Sequence, residues 1–170
     1  IDSEAQEIGA VNTIKIENGK LTGFNTDHYG FENSLKPHLK SHHKKALILG
    51  TGGASKAVAF ALKKLGVHFE YVSRTQSPDV KYNYETLAIE GIDKYQIIIN
   101  CTPLGTFPDI HKSPEIPYEN INSNYLLFDL IYNPEETLFL KQGNAKNATT
   151  LNGLEMLRLQ AEKSWELWNS

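Results

Sequence analysis

The chain has 170 residues, 40% hydrophobic and 22% charged, with a formal net charge of −3. This is an ordinary globular composition, long enough for a full core, and the charge argues against a dedicated nucleic-acid surface. A single cysteine excludes an internal disulfide framework and fits a reducing cytoplasm, and no apolar run approaches a membrane span or signal-peptide core.

The chain opens on Ile1 and not Met, so a piece of a longer protein is expected. Gly9 to Ile16 and Lys20 to Phe24 flank Glu17-Asn18-Gly19, a hairpin pattern with Asn-Gly at the tip. After Asn25-Thr26-Asp27, His28 to Leu39 has a helical pattern with Phe31 and Leu35 on one side. His42-His43-Lys44-Lys45 reads as a solvated lead-in to the next strand. Adjacent histidines are expected to point their rings apart, and no cluster of ligands completes a metal site.

Ala46 to Leu49 is the first buried-strand candidate. It breaks into Gly50-Thr51-Gly52-Gly53-Ala54 and resumes at Ser55 to Leu65 as a helix with apolar Val58, Ala59, Ala61, Leu62 and Leu65, stopped by Gly66. Strand, glycine turn and helix start together make a seat for a dinucleotide pyrophosphate. Gly50 makes the turn, Gly52 admits the phosphates, and free N–H groups at the helix start face the negative charge. Ser55 stands where a third Gly or Ala is usual, a sterically mild departure.

Phe69 to Val72 is the second strand, followed by Ser73-Arg74-Thr75. A carboxylate at this strand tip would bind the adenosine ribose hydroxyls, whereas the Arg74 guanidinium suits a 2′-phosphate, so the pattern leans to NADP over NAD. Gln96 to Asn100 and Leu126 to Ile131 are further buried strands, closed by Cys101-Thr102-Pro103-Leu104-Gly105-Thr106 and Tyr132-Asn133-Pro134. Cys101 is expected to be a small buried residue and not a nucleophile. Pro108 to Asn124 reads as a loop, Pro134 is expected to begin a helix over Glu135 to Gln142, and Asn147 to Thr150 could form a last short strand. Leu154, Leu157, Ala161, Trp165 and Trp168 mark an apolar face on a final helix, with the tryptophans expected to pack. The alternation of strands and helices predicts an α/β fold, a Rossmann-like doubly wound parallel sheet with its ligand crevice at the strands' carboxyl ends. Both ends of the chain are expected to pack against something other than this sheet.

Six motifs in order, Gly9-Ala10-Val11-Asn12-Thr13, Gly23-Phe24-Asn25-Thr26-Asp27, Gly50-Thr51-Gly52-Gly53-Ala54, Ser73-Arg74-Thr75, Asn100-Cys101-Thr102-Pro103-Leu104-Gly105 and Asn152-Gly153-Leu154-Glu155-Met156-Leu157, resemble shikimate dehydrogenase over nearly the whole chain. The resemblance implies reversible NADPH-dependent reduction of 3-dehydroshikimate to shikimate, a step of aromatic amino-acid biosynthesis. It implies flanking remnants of a smaller α/β substrate domain at 1–40, the NADP-binding domain at 41–150, and a helix returning to the substrate domain at 151–170. The missing amino-terminal substrate domain would supply the serines and lysine of the family's site. Asp27 would be the surviving half of the catalytic pair, unless Thr26 or Asp27 merely caps the helix that follows. Asn12, Tyr132 and Gln160 would join Asp27 in binding substrate. Gly50, Thr51, Gly52, Gly53, Ala54, Ser73, Arg74, Thr75 and Thr102 would bind cofactor, with Leu130 and Gly153 as backbone contacts at the nicotinamide end. The family often has a second basic residue shortly after the arginine; here Lys81 is the nearest candidate. The resemblance leaves two other readings open, a quinate/shikimate dehydrogenase using NAD and a stand-alone nucleotide-binding module. The fragment is expected to be cytoplasmic, inactive alone, free of metal, and able to self-associate, with a homodimer as the candidate state.

Overall fold

The computed structural model describes all of residues 1–170. Its centre is a six-stranded parallel sheet of β3 (Lys45–Leu49), β4 (His68–Val72), β5 (Val80–Tyr82), β6 (Ile97–Asn100), β7 (Leu126–Asp129) and β8 (Thr149–Leu151), in the order β5-β4-β3-β6-β7-β8. Counted within the sheet this is 3-2-1-4-5-6, the doubly wound order, and the chain reverses direction across the sheet between β3 and β6. A separate antiparallel pair, β1 (Thr13–Glu17) and β2 (Lys20–Phe24), forms the expected hairpin.

The sheet buries both faces because the central strands are apolar at every position but their ends. Ala46, Ile48, Ile97, Ile99, Leu126 and Phe128 point to one side, packed under α2 (Asp27–Leu35), α3 (Gly53–Lys64) and the start of α6 (Leu154–Asn169). Leu47, Leu49, Ile98 and Leu127 point to the other, under α4 (Tyr84–Glu90) and α5 (Leu138–Asn144). This two-residue alternation sets the register of the core. The expectation that both ends pack away from the sheet is therefore corrected. Phe31 and Leu35 of α2 and Met156 of α6 belong to the sheet's own core, with the Phe31 and Phe128 rings 4.9 Å apart.

Other boundaries move for local reasons. Residues Ser3–Ile8 form α1, capped by the Asp2 carboxylate on the Glu4 and Ala5 amides, and Gly9 ends that helix instead of opening the hairpin. α2 stops at Leu35, and Lys36–His38 tightens into a 3-10 turn around Pro37. α5 begins at Leu138 and not at Pro134, because the Thr137 hydroxyl supplies the cap by accepting from the Leu140 amide. Asn147 takes a left-handed turn, so β8 starts two residues later than expected. The His42 and His43 rings do not point apart. Their centroids lie 4.3 Å from each other and both reach the Asn124 carbonyl, tying the lead-in of β3 to the lead-in of β7. On α6 the buried side is Met156 and Ser164, while Trp165 and Trp168 are exposed, contrary to the expectation that they pack. No helix is long and apolar enough to cross a membrane.

Candidate functional site

The carboxyl ends of β3, β4, β6 and β7 open on one crevice. Gly50 turns the chain out of β3 with φ of 99°, a left-handed conformation that a side chain would strain. A Cβ there would also press to 3.2 Å on Thr102 and 3.3 Å on the Cys101 backbone, so the turn nests against the loop after β6. Thr51, Gly52 and Gly53 are exposed, and Ala54 is half-buried at the start of α3. Ser55 is buried and its hydroxyl donates to the Gly52 carbonyl at 2.6 Å, so it occupies the third small-residue position without obstruction and braces the turn. The first turn of α3 has no acidic residue. Exposed backbone amides at the positive end of a twelve-residue helix fit an anionic pyrophosphate.

Across β4, the Ser73 hydroxyl accepts from the Thr75 amide at 3.2 Å, and Arg74 projects outward and exposed between them. Arg74 lines a cavity of about 740 Å³ with Tyr84 on α4 and Leu104 from the loop after β6. The cavity thus bridges the strand ends on either side of the glycine turn. Lys81, the expected second cation, is engaged elsewhere: its ammonium is 3.1 Å from the Glu70 carboxylate and lies over the Tyr82 ring.

Two residues not singled out from sequence organise the other half of the crevice. Asn100 and Asp129 end β6 and β7 and are fully buried. The Asn100 amide donates to the Asp129 carboxylate at 3.1 Å, and its Oδ1 accepts from the Thr102 amide and hydroxyl at 3.0 and 2.6 Å. Asp129 also accepts from the Ile131 amide at 3.1 Å and the Thr137 hydroxyl at 2.6 Å. One buried pair thereby fixes the loops carrying Thr102 and Leu130. Burial raises the Asp129 pKa to about 6, against the three hydrogen bonds that favour its charged form. The legible signal was a polar residue closing each of two otherwise apolar strands. Burial also raises the pKa of the Cys101 thiol, consistent with an inert packing residue. No group of three or more His, Cys, Asp or Glu side chains is placed to hold a metal ion.

Leu130 meets Gly153 in unusually close contact, because a Cβ on Gly153 would lie 1.9 Å from the Leu130 carbonyl oxygen. The Gly153 amide donates to the Ile131 carbonyl at 3.0 Å. α6 leaves this corner, and Gln160 lies seven residues on, about 10 Å along the helix. There it reaches Thr26, next to Asn12 and Asp27. The Asn12 amide donates to Asp27 Oδ1 at 2.8 Å and Thr26 Oγ1 at 3.1 Å, while Asn12 Oδ1 accepts from the Thr26 amide at 2.8 Å. Thr26 Oγ1 is 3.3 Å from Gln160 Oε1 and 3.0 Å from Ser164 Oγ, and Thr13 Oγ1 is 2.7 Å from the same Ser164 hydroxyl.

This cluster decides how the helix end is capped. Thr26 makes no side-chain cap bond; instead the Asn25 side chain accepts from the His28 amide at 3.2 Å. The Asp27 carboxylate is thereby left to Asn12 and the open side. Its pKa is raised by burial, an effect that the Asn12 hydrogen bond and nearby His28 only partly offset. The fold thus joins Asn12 and Asp27 directly and links Gln160 to them through Thr26. Tyr132 sits half exposed after β7, outside that network.

No protein-family model matches the chain. Shikimate dehydrogenase (NADP(+)) of Methanococcus vannielii is 39% identical over 186 residues, an alignment that takes in 99% of this chain and 65% of that protein. The structure superposes on shikimate 5-dehydrogenase from Thermus thermophilus in complex with NADP(H) and shikimate, with a TM-score of 0.84 and 35% identity over 98% of this chain and 65% of that one. It also superposes on shikimate 5-dehydrogenase from Listeria monocytogenes in complex with shikimate and NAD, with a TM-score of 0.82 and 27% identity over 99% and 66%. The chain spans about 65% of the length of the curated relatives it matches. Over that length the chain is similar, by sequence and by fold, to shikimate dehydrogenases.

Proposed function

We propose that the chain is the NADP-binding part of a shikimate dehydrogenase, and that it carries one half of the family's acid-base pair in Asp27. The observation that carries this reading is the linkage through α6. One end of that helix, at Gly153, abuts the Leu130 strand end of the nucleotide crevice, and two turns away its Gln160 meets Thr26, which bonds Asn12 beside Asp27. Residues 1–40 would be the remnant of the substrate domain, 41–150 the nucleotide-binding domain, and 151–170 the helix that returns to the substrate domain.

A bound nicotinamide supplies or accepts the hydride at its C4. The chain's own residues do the rest. The amides at Gly52 to Ala54 hold the pyrophosphate, and Arg74 reads the adenosine 2′-phosphate. Thr102 and the Leu130 backbone, fixed by Asn100 and Asp129, line the nicotinamide side. Asp27, held by Asn12, hydrogen-bonds the reacting hydroxyl and takes up or releases its proton as general base or acid. A carboxyl with its pKa raised by burial accepts that proton more readily than an exposed one. In the family pattern, an ammonium from the amino-terminal domain shares this task, and no lysine of residues 1–40 matches it.

The substrate would be shikimate or 3-dehydroshikimate, bound between Asp27, Asn12, Gln160, Tyr132 and the amino-terminal domain. In a protein of the relatives' full length, Asp27→Asn is expected to lower kcat about 100-fold or more while leaving the NADP+ dissociation constant within twofold. The 170-residue chain alone is expected to bind NADP+ without turning over shikimate. Turnover by the pure chain, or full activity of the Asp27→Asn enzyme, would overturn the reading.

A further inference from the structure

The cavity beside Arg74 has a second wall that no sequence motif announces. Besides Arg74, Tyr84 and Glu85 it is lined by His111, Lys112 and Glu115, from the long connection between β6 and β7. That connection is irregular but anchored. The Lys112 carbonyl packs against Gly105, where a Cβ would come within 2.9 Å of it. The Phe107 amide donates to the Asn133 carbonyl at 3.1 Å, and the Gln142 amide donates to the Ser113 hydroxyl at 3.1 Å. Lys112 is therefore held in place by the same loop that nests against the glycine turn.

We propose that Lys112 is a specificity-determining cation of the nucleotide site, closing on the adenosine 2′-phosphate from the side opposite Arg74. This rests on the cofactor reading above and adds the second wall to it. Three observations carry it. First, the cavity joins the tips of β4 and β6 across the mouth of β3, where the adenosine end of a dinucleotide seated on Gly50 to Gly53 must lie. Second, Lys81 is withdrawn to Glu70 of β4, which leaves Arg74 and Lys112 as the lysine and arginine side chains lining the cavity. Third, the Lys112 ammonium has only a loose engagement of its own, an ion pair with Asp109 at 2.8 Å in which both side chains are mostly exposed. Exposed pairs of this kind contribute little, so a dianionic phosphate can replace Asp109 at small cost. Glu85 and Glu115 also line the cavity. They make a single guanidinium a weak anion site and give the opposing ammonium its importance. The arrangement is a two-sided clamp, with Arg74 fixed at a strand tip and Lys112 on an anchored loop.

The test isolates the adenosine end by using 2′,5′-ADP and 5′-ADP as calorimetric probes on the full chain. Wild type is expected to prefer 2′,5′-ADP. Lys112→Gln is expected to weaken 2′,5′-ADP about 5–10-fold with 5′-ADP unchanged, and Lys112→Arg to retain most of the preference. Lys81→Gln is expected to change neither, and Asp109→Asn to tighten 2′,5′-ADP about twofold by freeing the ammonium. The proposal fails if Lys112→Gln leaves 2′,5′-ADP binding intact or weakens both probes equally. Arg74→Gln separates the two levels of the argument. If it abolishes the preference while Lys112→Gln does not, only the clamp is wrong. If neither variant matters, or wild type shows no preference, the cofactor reading falls with it.

Discussion

The parallel sheet and the β1–β2 hairpin use the same two-residue alternation to opposite ends. In β3, β6 and β7 both sets of alternating side chains are buried, each under its own layer of helices. In β1 the inward positions are polar: Thr13 is buried and bonds Ser164, and Lys15 reaches the Ser170 carbonyl at 2.6 Å. The apolar positions face outward, with Ile14 at 53% and Ile16 at 71% exposure, beside exposed Leu21 of β2. Trp168 extends that surface and donates its indole N–H to the Ile14 carbonyl at 2.9 Å. A two-stranded ribbon is marginal by itself, and an inverted one gains nothing from its apolar residues in water. The sheet is thus self-sufficient, whereas the hairpin is held by polar contacts and presents an uncovered apolar face. Under the proposed function, that face is where the substrate domain packs.

The contrast can be broken at its strongest point first. Phe128→Ala removes a fully buried ring that packs on Phe31 and is expected to cost about 3–5 kcal/mol, read as a shift in the urea midpoint. An effect below about 1 kcal/mol would mean that the sheet core is not what holds the chain together.

Asp129 offers a subtler probe of the same core. Its folded pKa of about 6 lies above the ordinary carboxyl value of 3.8, so the folded state binds the proton more tightly than the unfolded state. Its contribution is therefore most favourable below pH 3.8 and is lost as pH rises through about 6, a change on the order of 3 kcal/mol. Asp129→Asn is expected to remove this component, so the difference in unfolding free energy between wild type and variant should change between pH 4 and 6 and level off above. A constant difference would show that the carboxyl does not titrate in that window.

The smallest stability effect belongs to the hairpin. Ile16→Thr keeps the β-branched shape and is expected to change stability by less than about 0.5 kcal/mol, while reducing any self-association detected by sedimentation. A loss comparable to that of Phe128→Ala would place Ile16 in a core of this chain and erase the contrast.

Legibility in the sequence follows the same division. β3, β4, β6 and β7 are readable because a strand buried on both faces is a plain apolar run, and the glycine turn because it sits between such a run and a helix. β5 and α4 escape notice, since Val80-Lys81-Tyr82 is three residues long and α4 buries only Leu87. The apolar stripe of α6 is visible, yet its meaning is inverted: Leu154, Trp165 and Trp168 face outward, and the helix packs through Met156, Gln160 and Ser164. Nothing in periodicity announces a polar helix interface. Sequence alone leaves Asp27 open to a capping role, which in the structure belongs to Asn25. Gln160 was readable only through the family resemblance, because a glutamine on a helix is ordinarily solvated. Nearness in sequence points to Lys81, but strand pairing places it beside Glu70.

The central claim is that the glycine turn, Arg74 and the loops fixed by Asn100 and Asp129 form a nucleotide site complete within these 170 residues. Calorimetric titration of the purified chain with NADP+ and NAD+ tests it most directly. Saturable one-to-one binding of NADP+ is expected, at least tenfold tighter than that of NAD+. Equal or NAD+-favoured binding would contradict the role of Arg74 and favour an NAD-using quinate/shikimate dehydrogenase. Absence of binding by both would contradict the claim that the site is complete.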